Sequence, residues 1–204
     1  MRVFWFLIII CIPLVIIFSN LLLLIFNPRS YFDIYEKTSV YRQIDRQAAN
    51  QATKELIDYF KDKNNFDPNY FSGQAILHLR DVKKLINLVE VSTLILTGVL
   101  LISSSYLVFK KKLHFLKNAF LYGSIATFII SLIFTILLVF SFQNAFLLFH
   151  KIAFTNNLWL FNESDNLIKL FPIAFFAVFT KKLLINIIAI SVVISTASFV
   201  SFKK

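Results

Sequence analysis

Of the 204 residues, 58% are hydrophobic and 25 are Phe, and the mean hydropathy is +0.73. A water-soluble domain of this size is excluded, because it exposes too much surface for its volume to hide so much apolar area. With only 3 Gly and 4 Pro, a turn-rich barrel is excluded as well. The net charge of +10 does not point to nucleic acid, since the basic residues cluster at the ends of apolar runs, where anionic lipid and topology account for them.

Four segments are close to the roughly 20 apolar residues that a hydrocarbon core requires. They cover about 3–26, 88–109, 119–142 and 183–200. The first holds the single cysteine, Cys11, which has no partner for a disulfide and reads as a small buried apolar residue. This run is too long for a cleaved signal peptide and reads as a retained anchor. Between the first two spans, the apolar residues Ile44, Ala48, Ala52, Leu56, Ile57 and Phe60 recur at helical spacing among charges, which predicts an amphipathic helix. Asp67-Pro68-Asn69 marks a turn, and a second amphipathic stretch from Gly73 leads into the second span. The piece from Leu170 to Phe179 is too short to span and is separated from the fourth run by Lys181-Lys182. It reads as a re-entrant or interfacial segment.

The expected architecture is therefore an all-α membrane protein, a single integral domain over residues 1–204. It has four transmembrane helices and an extracytoplasmic cap of helices and loops, drawn from about 27–87 and 143–182. Orientation follows from the short loop Lys110–Lys117, with four lysines and no acid, which reads as cytoplasmic. Arg2 and Lys203-Lys204 then fall on the same side, giving N-in, C-in. The segment from Asn27 to Asn87 carries ten Lys or Arg against eight Asp or Glu, but loops this long obey the positive-inside rule poorly.

Three histidines could carry chemistry. His114 lies among the cytoplasmic lysines and reads as a solvated interfacial residue. His78 and Asp81 are three apart, so on a helix they share a face and the carboxylate can hold an imidazole tautomer. His150 follows the third span, and this topology brings it out on the same external side as His78. No G-x-S-x-G elbow supports a serine hydrolase and no H-E-x-x-H supports a zinc protease. Zinc at His78, Asp81 and His150, or haem between the two histidines, stays open from residue type alone. A non-catalytic lipid-binding or accessory protein is the alternative reading.

The blocks His78-Leu79-Arg80-Asp81-Val82-Lys83 and Phe149-His150…Phe154…Asn157…Trp159…Asp165…Leu167-Ile168…Leu170-Phe171-Pro172…Phe175-Phe176 resemble the bacterial lipoprotein intramolecular transacylase family over nearly the whole chain. Glu163 and Ile173 depart from the pattern. The resemblance implies a bacterial membrane enzyme that needs no cofactor or metal. It acts on diacylglyceryl-modified lipoproteins among membrane lipids, with the active site at the external face. The sn-2 acyl chain would move to the α-amino group of the lipidated cysteine, giving a lyso-form lipoprotein. His78 and His150 match the two key histidines. His150 is expected as base, and His78, oriented by Asp81, as proton shuttle, with the reverse assignment equally open. Asn156, Asn157 or the Trp159 indole would stabilise an oxyanion or merely bind loop carbonyls, and Asp165 is a supporting residue. Tyr70, Phe71, Phe175 and Phe176 are expected to line lipid.

Overall fold

The structure, a computed structural model, describes residues 1–63 and 69–200. These residues form helices α1 (Arg2–Ile25), α2 (Pro28–Lys37), α3 (Val40–Gln43), α4 (Arg46–Phe60), α5 (Gly73–Phe109), α6 (Leu113–Ala153), α7 (Asn166–Leu170) and α8 (Ile173–Val200), with no strand among them. Four of the helices, α1, α5, α6 and α8, are long and apolar enough to cross a membrane. The expected turn at Asp67-Pro68 and the terminal Lys203-Lys204 lie outside the described residues.

The helix ends are chemically marked. Asn27 accepts the Arg29 amide at 3.1 Å ahead of Pro28, and Asp45 accepts those of Gln47 and Ala48 at 2.9 and 3.0 Å. Both side chains satisfy donors that the first turn leaves free. Helices α4 and α5 end alike. Asp62 and Lys111 take left-handed conformations (φ 56 and 54). The following amides, of Lys63 and Lys112, reach back to the carbonyls of Asp58 and Leu107, the hydrogen-bond pattern of a Schellman cap.

The chain packs as two compact units. The first comprises Met1–Leu22, Val89–Val139 and Lys182–Lys204. In it Ile8, Ile12 and Ile16, four apart on α1, meet Leu107 of α5, Ala119 of α6 and Ile187 of α8. Gly123 allows α1 and α6 to approach, since a Cβ there would lie 2.9 Å from Ile12 Cδ1. The hydroxyls of Ser124 and Ser195 meet at 2.8 Å, and Thr127 and Ser131 donate back to the carbonyls of Gly123 and Thr127. The last two bonds stay within α6, but Gly123 and the Ser124–Ser195 pair join it to α1 and α8, as small and hydroxyl-bearing residues do where lipid supplies no hydrophobic drive for association. Cys11 is buried. Leu94 and Val139, 75% and 78% exposed, belong to an outer surface that only hydrocarbon suits.

The second unit comprises Leu23–Leu88 and Phe140–Lys181. Its core gathers Ile34, Tyr35, Val40, Leu56, Ile57, Phe60, Leu170, Phe171 and Phe175. The Tyr35 hydroxyl sits 2.8 Å from Thr53 Oγ1, which donates to the Ala49 carbonyl, so a fully buried phenol keeps its hydrogen bond.

Three expectations change. The buried stripe of α4 is Ala49, Ala52, Thr53, Leu56, Ile57 and Phe60, while Ala48 is exposed. Ile44 precedes the Asp45 cap and so lies before the helix, and Thr53 passes for polar surface until its bonds to the Tyr35 hydroxyl and the Ala49 carbonyl are seen. The segment after Pro172 is no separate re-entrant piece, because α8 runs unbroken through Lys181-Lys182. Lysine is a good helix former with a long apolar stem, so two of them interrupt hydropathy without interrupting the helix. Phe71 and Phe175 are buried at 4% and 2% exposure, and Phe175 packs on Tyr31, Tyr35 and Phe171, so they are core residues rather than a lipid lining.

Candidate active site

All the candidate site residues belong to the second unit. Ser72 opens α5 by accepting the Ala75 amide at 3.1 Å. From that start Gln74, His78 and Asp81 fall at i, i+4 and i+7, one face of the helix. His150 comes from the last turn of α6, beyond Ser141, where the backbone leaves helical geometry (φ −161, ψ 67).

The imidazoles of His78 and His150 stack with ring centroids 6.2 Å apart and planes 26° from parallel. Both are buried, at 7% and 8% exposure. Phe154 touches both rings, at 4.9 Å from His78 and 5.6 Å from His150. Phe161 lies 5.5 Å from His78, while Phe146 and Trp159 lie 4.2 and 5.1 Å from His150. The two histidines therefore share an aromatic enclosure.

That enclosure sets their protonation. His78 and His150 lie beyond the apolar runs of their helices, about 88–109 and 119–142 in the sequence, and burial disfavours the imidazolium of each. His78 is pushed down to about 4, by burial first and His150 second, against a smaller opposing pull from Asp81. His150 is also lowered by burial, partly offset by its bond to Phe146. His150 Nδ1 lies 2.8 Å from the Phe146 carbonyl. A carbonyl only accepts, so Nδ1 carries the proton and the Nε2 of the neutral ring keeps its lone pair. His78 Nδ1 is buried with no hydrogen-bond partner among the described residues.

The expected supporting residues take different places. Asp81 does not bond His78. Its carboxylate accepts from Lys84 Nζ at 2.8 Å and Asn156 Nδ2 at 2.9 Å, contacts that hold it below the usual carboxylate range. Three-residue spacing put Asp81 and His78 on one side of α5, but the carboxylate has stronger donors in Lys84 and Asn156. Asn156 Oδ1 accepts the Leu158 amide at 3.0 Å, closing a turn. Asn157 is exposed and contributes its carbonyl to Leu160 N at 3.1 Å. Trp159 alone of the loop candidates lies against a histidine. Asp165 caps α7 through the Leu167 amide at 2.8 Å and accepts the Ser72 hydroxyl at 2.6 Å, joining α7 to the start of α5. Among the described residues, no three His, Cys, Asp or Glu side chains gather as a metal-holding group, and His78, Asp81 and His150 form no such set.

Sequence reasoning missed Gln74, whose amide donates to the Leu158 and Leu160 carbonyls at 3.1 and 2.8 Å. It also missed Asn166, which donates to the Tyr70 carbonyl at 2.7 Å, and the rings of Phe146 and Phe161. Gln74 and Phe146 each stand four residues before a histidine, so the helical face that nominated Asp81 could have nominated them.

The family model described as lipoprotein intramolecular transacylase Lit matches residues 6–176. The chain belongs to that family. It is accordingly a lipoprotein intramolecular transacylase, an acyltransferase acting on lipoproteins, and a multi-pass membrane protein. No curated protein matched the chain. Among solved structures, it is similar to the in meso structure of the membrane integral lipoprotein intramolecular transacylase Lit from Bacillus cereus, with TM-score 0.88 and 21% identity over 99% of this chain and 95% of that one. Two variants of the Bacillus cereus transacylase, with one histidine replaced by arginine or by alanine, align with TM-scores of 0.79 and 0.80 at 20% identity, covering 99% of this chain and 92% and 93% of theirs. At such identity the likeness shows a common transacylase fold.

Proposed function

We propose that this transacylase moves the sn-2 acyl chain of a diacylglyceryl-cysteine lipoprotein onto the cysteine α-amino group, with His78 and His150 as its catalytic residues. The observation that carries this reading is the stacked, buried histidine pair with the tautomer of His150 fixed by Phe146. The α-amino group has a pKa of roughly 7.7–8.0, within reach of a histidine base near neutral pH. His150 Nε2 takes the amine proton as the nitrogen attacks the ester carbonyl. The bond from that carbonyl to the glyceryl oxygen breaks and the amide bond forms, while the proton taken up by His150 passes to the departing oxygen through His78, whose neutral ring accepts at one nitrogen and releases from the other. Donor and acceptor sit on one molecule, so positioning can supply roughly 7–11 kcal/mol of the barrier without an enzyme nucleophile. Asn156 is engaged by Asp81 and the Leu158 amide, so the oxyanion role falls to the indole of Trp159, the loop candidate whose ring lies against His150.

In this reading the chain lies N-in, C-in in a bacterial cell membrane. The lysines of the α5–α6 turn face the cytoplasm, and the site meets lipoproteins at the external face, among membrane lipids, without nucleic acid, metal or cofactor. Expression in bacteria lacking their own lipoprotein N-acylation, with mass spectra of a reporter lipoprotein's N-terminal peptide, tests it. An acylated cysteine amine beside a mono-acyl glycerol is the expected product; an unchanged diacylglyceryl cysteine, with the protein well expressed, rejects the reading.

A further inference from the structure

The loop from Phe154 to Phe161 carries three of the rings that enclose the histidines. It is fastened to α5 at two points on either side of His78. Before His78 in the helix, the Gln74 amide donates one hydrogen to the Leu158 carbonyl and one to the Leu160 carbonyl. Those two carbonyls flank Trp159. After His78, Asp81 holds Asn156. Turns closed by Asn156 Oδ1 on Leu158 N and by Leu160 N on the Asn157 carbonyl stiffen the segment between the fastenings. The loop thus crosses the histidine pair as a roof of Phe154, Trp159 and Phe161, and one face of α5 supplies both ties.

Such a roof matters because the ester has two nucleophiles to choose from. The intended one is the amine of the same molecule. The competitor is water, present at far higher concentration and equally able to surrender a proton to a neutral histidine. In hydrolysis the water oxygen attacks the ester carbonyl, the bond to the glyceryl oxygen breaks, and that oxygen leaves with a proton. A free fatty acid departs and the cysteine amine stays bare. Closing a site against water is how transferases suppress this side reaction.

We infer that Gln74 is a positioning residue that sets the choice between transfer and hydrolysis, by pinning the Phe154–Phe161 roof over the histidine pair. The inference rests on the histidine chemistry proposed above. Removing the amide hydrogens of Gln74 frees the carbonyls beside Trp159, admits water, and turns part of each turnover into lipoprotein deacylation. The tie at Asn156 acts in the same sense from the other side.

The test uses the purified full-length protein in detergent, a synthetic diacylglyceryl-cysteine peptide and ¹⁸O-labelled water. Fragment spectra separate the N-acyl product from the substrate of equal mass, and ¹⁸O in released fatty acid counts attack by water. The wild-type protein is expected to give the N-acyl product with little labelled acid. Gln74→Ala and Gln74→Glu, the latter keeping length but losing both donors, are expected to raise the share of turnovers ending in labelled acid at least tenfold. Asn156→Ala, read in the same way, should raise it too. A thermal melt matching the wild type separates this outcome from unfolding. If the Gln74 variants are slower but release no more labelled acid per turnover, Gln74 merely stabilises the unit and the inference falls. Absence of the N-acyl product from the wild-type protein itself overturns the histidine reading on which the inference stands.

Discussion

Asp81 accepts a hydrogen bond from Asn156 at 2.9 Å, across 75 positions of sequence. The carboxylate that shares a helical face with His78 is thereby committed to the loop beneath which His78 lies. Asp81 thus reaches His78 by its charge, without a hydrogen bond, and reaches the loop through Asn156. Asp81→Ala and Asn156→Ala are each expected to cost about 1.5–3 kcal/mol of stability, as for hydrogen bonds to charged groups. The double variant should cost little more than either alone. Melting curves of the three proteins measure this coupling, and full additivity would show that the contact contributes nothing.

Loss of either histidine should be close to complete. A positioned acid or base contributes roughly 10²–10⁴-fold to rate, so His78→Ala and His150→Ala are each expected to lower N-acyl product formation by at least about 10²-fold. Initial rates on a diacylglyceryl-cysteine peptide measure the effect. Near-wild-type activity in either variant ends the proposed division of labour.

Burial of His78 has a thermodynamic consequence. Its folded pKa, about 4, lies below the roughly 6.5 of an exposed histidine. Between those values the unfolded chain binds a proton that the folded chain refuses. Stability is therefore full above about pH 6.5 and is lost as pH falls toward 4, by up to roughly 3 kcal/mol. The depressed pKa of His150 acts in the same direction. Thermal melts over this range should show a steep decline, made shallower by His78→Phe. An unchanged decline in that variant would place the acid sensitivity elsewhere.

Gly123 offers a test in the first unit. A methyl group there would press on Ile12, with Cδ1 at 2.9 Å and Cβ at 3.0 Å. The second contact is close to the backbone and cannot swing away. Gly123→Ala is expected to destabilise the protein by roughly 1–3 kcal/mol through overpacking. Adding Ile12→Ala should recover part of the loss. Unchanged melting of Gly123→Ala would show that α1 shifts freely.

How much of this was legible beforehand differs between the two units. Hydropathy alone gives four helices long enough to span, because each must hide its backbone and offer apolar side chains to lipid. Ends are harder, since they depend on caps and on lysines that interrupt hydropathy without interrupting helix, as Lys181-Lys182 do. In the site, residue type and topology together nominate His78 and His150. What they cannot supply is which polar partner wins a contested carboxylate: Lys84 and Asn156 hold Asp81, and Asn156 stands in a loop 75 residues away. Nor does spacing show that Thr53 belongs indoors, because that depends on the hydroxyl of Tyr35 in another helix.

The two units do not follow one another along the chain. The unit that holds His78 and His150 is made of two separate stretches, and the other of three. Helices α1, α5, α6 and α8 each begin in one unit and finish in the other. No single cut releases either unit intact, and neither could be grafted onto another scaffold as an uninterrupted piece. In such a design the histidine-bearing part cannot be gained or discarded as a module; it can change only by alteration of helices that also build the rest of the molecule.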